Sequence, residues 1–250
     1  MQTVPKTEEE IEILRYLASI HKQVFEEIKK IAIPWTSVEI IDDLALNICN
    51  SYNVLPAFKW LYGFPNNICV SINDMIAHWV CKKWTVLQSW DVVSFDFWVK
   101  DKKSGLNTDA AFTMIIWEAK SPKHEEIIKV NYDALMRWIS KAVVWARVWD
   151  IWFAIEETVK KSEFHLVKKL SGHWIWTHVH EDPYIYNYWK KGSGAMLKEN
   201  TTFCLEPLLG LTTWEIKSDK KWNIFTADWN IWTHFEHMIL VKNWYPEILV

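Results

Sequence analysis

At 250 residues, 50% of them apolar and 24% charged, the chain can bury a sizeable core and reads as globular rather than disordered. Its formal charge of −3 gives no electrostatic reason to expect a nucleic acid or an anionic membrane as partner. No apolar run is long enough to span a bilayer, so a cytoplasmic location is the default expectation. Cys49, Cys69, Cys81 and Cys204 lie far apart with no CxxC pair, which argues against a structural zinc site and against a disulfide frame.

Thr7-Glu-Glu-Glu10 is a capping box, and Ile11, Leu14, Ala18, Phe25 and Ile28 continue it at helical spacing until Pro34. Thr36-Ser-Val-Glu39 reads as a second capping box opening a helix to about Asn50. Residues 66–76 alternate like one strand, and residues 91–100 and 108–116 read as a hairpin across Lys102-Lys103-Ser104-Gly105. Ser121-Pro122 is an N-cap with proline at the first helical position, predicting a helix to about Val144, with another over about 148–162. Short strands follow near 164–168, 184–188, 200–206, 212–217, 223–227 and 233–241. The order helices, strands, helices, strands predicts an α+β domain of two similar halves occupying residues 1–250, with no linker or low-complexity tract.

Two counts are abnormal: 6 glycines and 19 tryptophans, where about 7% glycine is usual. Trp35 follows Pro34, Trp90 lies between Ser89 and Asp91, Trp229 follows Asp228 and Trp244 follows Asn243. These are turn contexts in which the second residue is usually glycine, because glycine tolerates φ > 0 and an indole does not. Core tryptophans would follow helical or strand periodicity instead. The expectation is that most of the tryptophans stand for glycine, through a UGA codon that the source organism reads as glycine.

Five residues in the strand-rich parts carry chemistry: Asp96, Asp109, His173, Glu206 and Glu236. Each lies within or beside apolar strand residues, where an unpaired carboxylate is costly to bury. Four carboxylates match the charge of two divalent cations, and with a histidine they form the donor set of a two-metal hydrolytic site. Singly, each is more ordinary as a hydrogen-bonded core or surface group; the set is what points to a site.

In order along the chain, Asp96, Asp109, Ser-Gly-His173, His180-Glu-Asp-Pro, Phe-Cys-Leu-Glu206-Pro and His-Phe-Glu236-His resemble the metal-site motifs of type I methionine aminopeptidases. Tyr62-Gly-Phe64-Pro, Ile68-Cys69 and His78 are similar to that family's substrate-side segment. The resemblance implies a pita-bread α+β fold: two pseudo-symmetric halves, a central antiparallel sheet and outer helices. It also implies two divalent metal ions (Co, Mn, Fe or Zn), with Asp96 on one, His173 and Glu206 on the other, and Asp109 and Glu236 bridging. A metal-bridging hydroxide would be the nucleophile, with Glu206 as base, His180 as oxyanion donor, and His78 contacting the substrate amide and helping the leaving nitrogen. The substrate implied is the N-terminal Met of nascent peptides, acted on by a monomer, with ribosome contact left open. Phe58, Leu61, Tyr62, Phe64, Cys69 and Val179 fall on the methionine pocket, where Phe58 and Leu61 depart from the usual residues. Trp35, Trp79, Trp90, Trp174 and Trp176 fall on the family's glycines. The alternatives are an Xaa-Pro aminopeptidase of the same fold and a catalytically inactive binding protein.

Overall fold

The structure, a computed structural model, describes residues 4–59, 63–77, 80, 82, 84–186, 194–219 and 223–250. The first helix, α1 (Glu8–Ile31), starts at the expected capping box, with the Thr7 hydroxyl and the Glu10 carboxylate each satisfying the other's backbone N–H. Helix α2 (Val38–Ser51) is capped by Ser37 and not by Thr36. Thr36 instead donates its hydroxyl to the Ile31 carbonyl, 2.7 Å away, so the second predicted capping box does not form. The predicted strand over 66–76 is two strands, because Asn73 takes φ 57° between them.

The first half continues with β1 (Leu55–Pro56), β2 (Cys69–Ile72), β3 (Met75–Ala77), β4 (Val92–Lys100) and β5 (Asn107–Ile115). Helix α3 (Pro122–Ile139) ends five residues before the expected Val144, where Ser140 turns back to donate to the Arg137 carbonyl. Helix α4 (Val148–Val159) follows. The second half holds β6 (His165–Leu166), β7 (Ser171–Trp174), β8 (Glu181–Tyr186), β9 (Thr202–Leu205) and β10 (Leu208–Gly210). It closes with β11 (Ile216–Ser218), β12 (Ile224–Thr226), β13 (Trp232–His234), β14 (His237–Leu240) and β15 (Glu247–Ile248).

All the strand pairs are antiparallel. The two largest sheets, β1-β4-β2 with β5 on β4, and β15-β14-β9-β7-β8, meet through a two-way backbone bridge between Ala111 and Glu236. One core packs α1 and α2 on the first sheet, and a second packs α3 and α4 on the other.

The two halves repeat one another in detail. Trp35, between α1 and α2, has φ 75°, and Trp145, between α3 and α4, has φ 74°. Each is followed by an isolated bridge, Ser37 to Val86 and Arg147 to Met196. The turn entering β4 carries Trp90 at φ 73°, while the equivalent turn entering β9 carries Asn200 at φ 61°. Asparagine is one of the few residues that tolerates that region.

Candidate metal centre

The cleft lies where the halves meet. On the β4–β5 hairpin Asp109 is paired across the ladder with Trp98, and Asp96 with Ala111. In strands, side chains two apart share a face, so Asp96 and Trp98 point into the same side of the hairpin. From the other half, His173 comes from β7, whose neighbour Gly172 lies against β9. A Cβ at Gly172 would run into the Cys204 carbonyl oxygen, so only glycine lets β7 close on β9 at this point. Glu206 follows β9 directly, and Glu236 is held between β13 and β14 by its bridge to Ala111.

All five sequence-predicted ligands line one cleft of about 330 Å³, together with Trp98, Ser171, His180 and His234. His173 Nε2 lies 3.5 Å from Asp109 Oδ2 and 3.7 Å from both Glu206 Oε1 and Glu236 Oε1. Asp96 Oδ1, Asp109 Oδ1 and Glu236 Oε1 are buried without a hydrogen-bond partner. Oxygens left this way are unusual in a folded core and fit cation ligands.

Burial, with the Glu236 and other carboxylates beside it, holds Asp109 well above the usual carboxylate range; burial and Glu206 do the same for Glu236. Burial lifts Asp96 to about 7 and pushes His173 down to about 4. Cys204 packs behind the site, and burial beside Glu236 and Asp109 keeps its thiol protonated.

A stability prediction follows. A carboxyl whose folded pKa is raised stabilises the fold below its unfolded pKa, and that contribution is lost as pH rises through the folded value. The raised carboxyls Asp96, Asp109 and Glu236 are therefore expected to make the chelated protein melt at falling temperature from about pH 4 to about pH 7, the span over which Asp96 is shifted, outweighing the opposite contribution of the lowered His173. Divalent cation should remove that dependence, because it competes with protons for the same oxygens. A pH-independent melting temperature in chelator would contradict it.

His180 reaches the cleft, with its ring edge-on to His173 at 4.5 Å and to Trp98 at 5.2 Å. His178 points away: its side chain is 83% exposed and faces Glu181. Phe64 and Cys69 pack with Phe58 and Trp98 in a small apolar cluster that Val179 borders. The Trp98 indole stacks on Phe58 at 4.0 Å and 15°, among the residues expected to line the substrate side-chain pocket. Tyr62 and His78, with Leu61 and Trp79, lie outside the described residues.

Sequence reasoning missed His234. Its signal was its position two residues before Glu236 on extended backbone, which puts both side chains on one face. The turn expectation for tryptophan meets a mixed result. Trp35, Trp90 and Trp229 have φ of 75°, 73° and 60°, and Trp117 and Trp145 join them at 72° and 74°. Trp244 does not have positive φ, so the turn expectation fails there; Trp174 and Trp176, which were not read as turn residues, do not have it either. Trp174 and Trp176 retain only the family resemblance.

Residues 12–243 match metallopeptidase family M24. A methionine aminopeptidase from Clostridium acetobutylicum is 32% identical over 245 residues, covering 98% of this chain and 97% of that protein. The solved methionine aminopeptidase from Thermotoga maritima superposes with a TM-score of 0.95 at 30% identity, covering 99% of each chain. A prolidase from Pyrococcus furiosus, 16% identical with a TM-score of 0.72 and 65% covered, shares the fold alone. The architecture is thus the pita-bread α+β fold that the motifs implied. With its full-length match to such enzymes, the chain belongs to metallopeptidase family M24, on its methionine aminopeptidase branch.

Proposed function

We propose that the chain removes the N-terminal initiator methionine from nascent peptides, holding two divalent metal ions on Asp96, Asp109, His173, Glu206 and Glu236. The observation that carries this reading is the convergence of these five donors from both halves on one cleft, three of their oxygens buried without partners. The metals, when bound, supply Lewis-acid charge that lowers the pKa of water and polarises a carbonyl. Their identity among Co, Mn, Fe and Zn is open to a mixed oxygen and nitrogen donor set.

The chain's own groups supply the rest. Glu206, whose side chain is 14% exposed, accepts the proton of the attacking water. His180, beside His173 at the mouth of the apolar cluster, donates to the scissile carbonyl oxygen as charge develops there. His78 contacts the substrate amide. Phe64, Cys69 and Val179, with Tyr62, hold the methionine side chain.

We also propose that most of the tryptophans stand for glycine. Five exposed ones occupy left-handed backbone, and among the described residues only Trp229 against Phe225 and the Trp90 indole N–H on Glu118 offset the strain. Trp98 matters most to activity, since its indole lies among the residues proposed to hold the thioether and would narrow their pocket.

The test is release of methionine from Met-Ala-Ser by the metal-loaded protein, with Trp98 as written and as Trp98→Gly. The glycine form is expected to gain roughly 10–200-fold in kcat/KM, the scale of steric discrimination in apolar pockets. No release by either form would sink the enzyme reading. Equal release would sink the occlusion argument. In the coding DNA, predominantly UGG codons at the tryptophan positions would refute the glycine reading.

A further inference from the structure

His234 ends β13, and its backbone is clamped to β5: its N–H donates to Thr113 Oγ1 at 2.9 Å, and the Thr113 hydroxyl donates back to its carbonyl at 2.7 Å. That clamp aims the ring into the cleft, where the residue is only 4% exposed. Its Nε2 is buried without a hydrogen-bond partner. It lies 3.5 Å from Glu206 Oε2 and 3.7 Å from Glu236 Oε2.

Those separations are long for hydrogen bonds. They suit two ligands of one tetrahedral ion, whose bonds of about 2.0–2.2 Å place neighbouring donors roughly 3.3–3.6 Å apart. His173 stands in the same relation to the opposite oxygens, Oε1 of Glu206 and Oε1 of Glu236. The two glutamates thus carry an imidazole on each oxygen edge.

We propose that His234 is a metal ligand in its own right, giving the metal on the Oε2 side of the bridging Glu236 a nitrogen donor and leaving Glu206 Oε2 for its proton. This rests on the metal-site reading above and extends it. The five-residue set supplies one imidazole to the pair of metals, and His234 supplies a second. A nitrogen donor at both positions would shift preference toward Fe, Co or Zn and away from Mn or Mg.

The test uses the full-length chain with ¹⁵N-labelled histidine, loaded with Co(II). Each histidine bound to a paramagnetic ion gives a hyperfine-shifted ring N–H signal. Two such signals are expected in the unsubstituted protein, and one after His234→Gln. Calorimetric titration should show the second Co(II) weakened by about tenfold or more in His234→Gln, with the first little changed. A single shifted signal in the unsubstituted protein overturns the proposal, even where His234→Gln weakens affinity, because a residue that only orients Glu206 would behave so. The count on the unsubstituted protein decides the matter if His234→Gln does not fold. No Co(II) uptake at all would overturn the metal-site reading and this inference with it.

Discussion

Glu206→Gln is expected to lower kcat for Met-Ala-Ser by about 10²–10⁴-fold, the usual contribution of a positioned acid/base group. Glutamine keeps the length of the side chain and one carbonyl oxygen for a cation, but it cannot take a proton from water. Metal content, measured by elemental analysis, should therefore fall far less than activity. KM should stay close to the unsubstituted value, because in the proposed role Glu206 meets the attacking water and not the methionine side chain. A variant that retains more than a tenth of kcat with both metals bound would remove Glu206 from the role of base. A variant that loses both metals would show that its charge, rather than its basicity, is what the site needs.

The second large effect concerns stability. Replacing Trp35, Trp90, Trp117, Trp145 and Trp229 together by glycine should raise the melting temperature by about 10 °C. A bulky residue in left-handed backbone costs about 1–2 kcal/mol. Glycine returns about 0.4–1 kcal/mol of that through the greater freedom of its unfolded chain. The remainder over five sites is roughly 3–5 kcal/mol, a large part of a typical stability of about 5–15 kcal/mol. At about 2–4 °C per kcal/mol for a chain of this size, the shift is well within calorimetric resolution. The indole N–H of Trp90 donates to Glu118 at 2.9 Å, so that site should gain least. An unchanged melting temperature would mean that these turns accept the indole without strain.

Much of the fold was legible because its signals are local. Thr7 and Glu10 cap α1 as their spacing dictates, and the β4–β5 hairpin follows from two apolar-rich runs on either side of a Gly105 turn at φ 76°. The boundaries that failed depended on distant partners. Thr36 gives its hydroxyl to Ile31 and leaves the cap to Ser37, and Asn73 breaks a strand by accepting from and donating to β4 and its entry turn. Strands of two or three residues, such as β1 and β15, carry too little pattern to announce themselves. The five metal-site candidates were legible as a set of buried carboxylates with a histidine. His234 was not read as one of them, because its single local signal, a place two residues before Glu236 on one strand face, also suits a core histidine. The proposed occlusion by Trp98 emerges only when β4 lies beside the segment that carries Phe58.

The proposed metal centre takes Asp96 and Asp109 from one half of the molecule and His173, Glu206 and Glu236 from the other. Neither half owns a site, so an ion bound there acts as a rivet across the seam. By linkage, whatever energy the ion gains from five donors resists separation of the halves, and the resistance grows with ion concentration. Substitutions along the seam away from the cleft, for instance in the Arg15–Glu247 ion pair between α1 and β15, should therefore register as weakened metal affinity before they register as unfolding. Free metal in the cell would then set how firmly the two halves are closed.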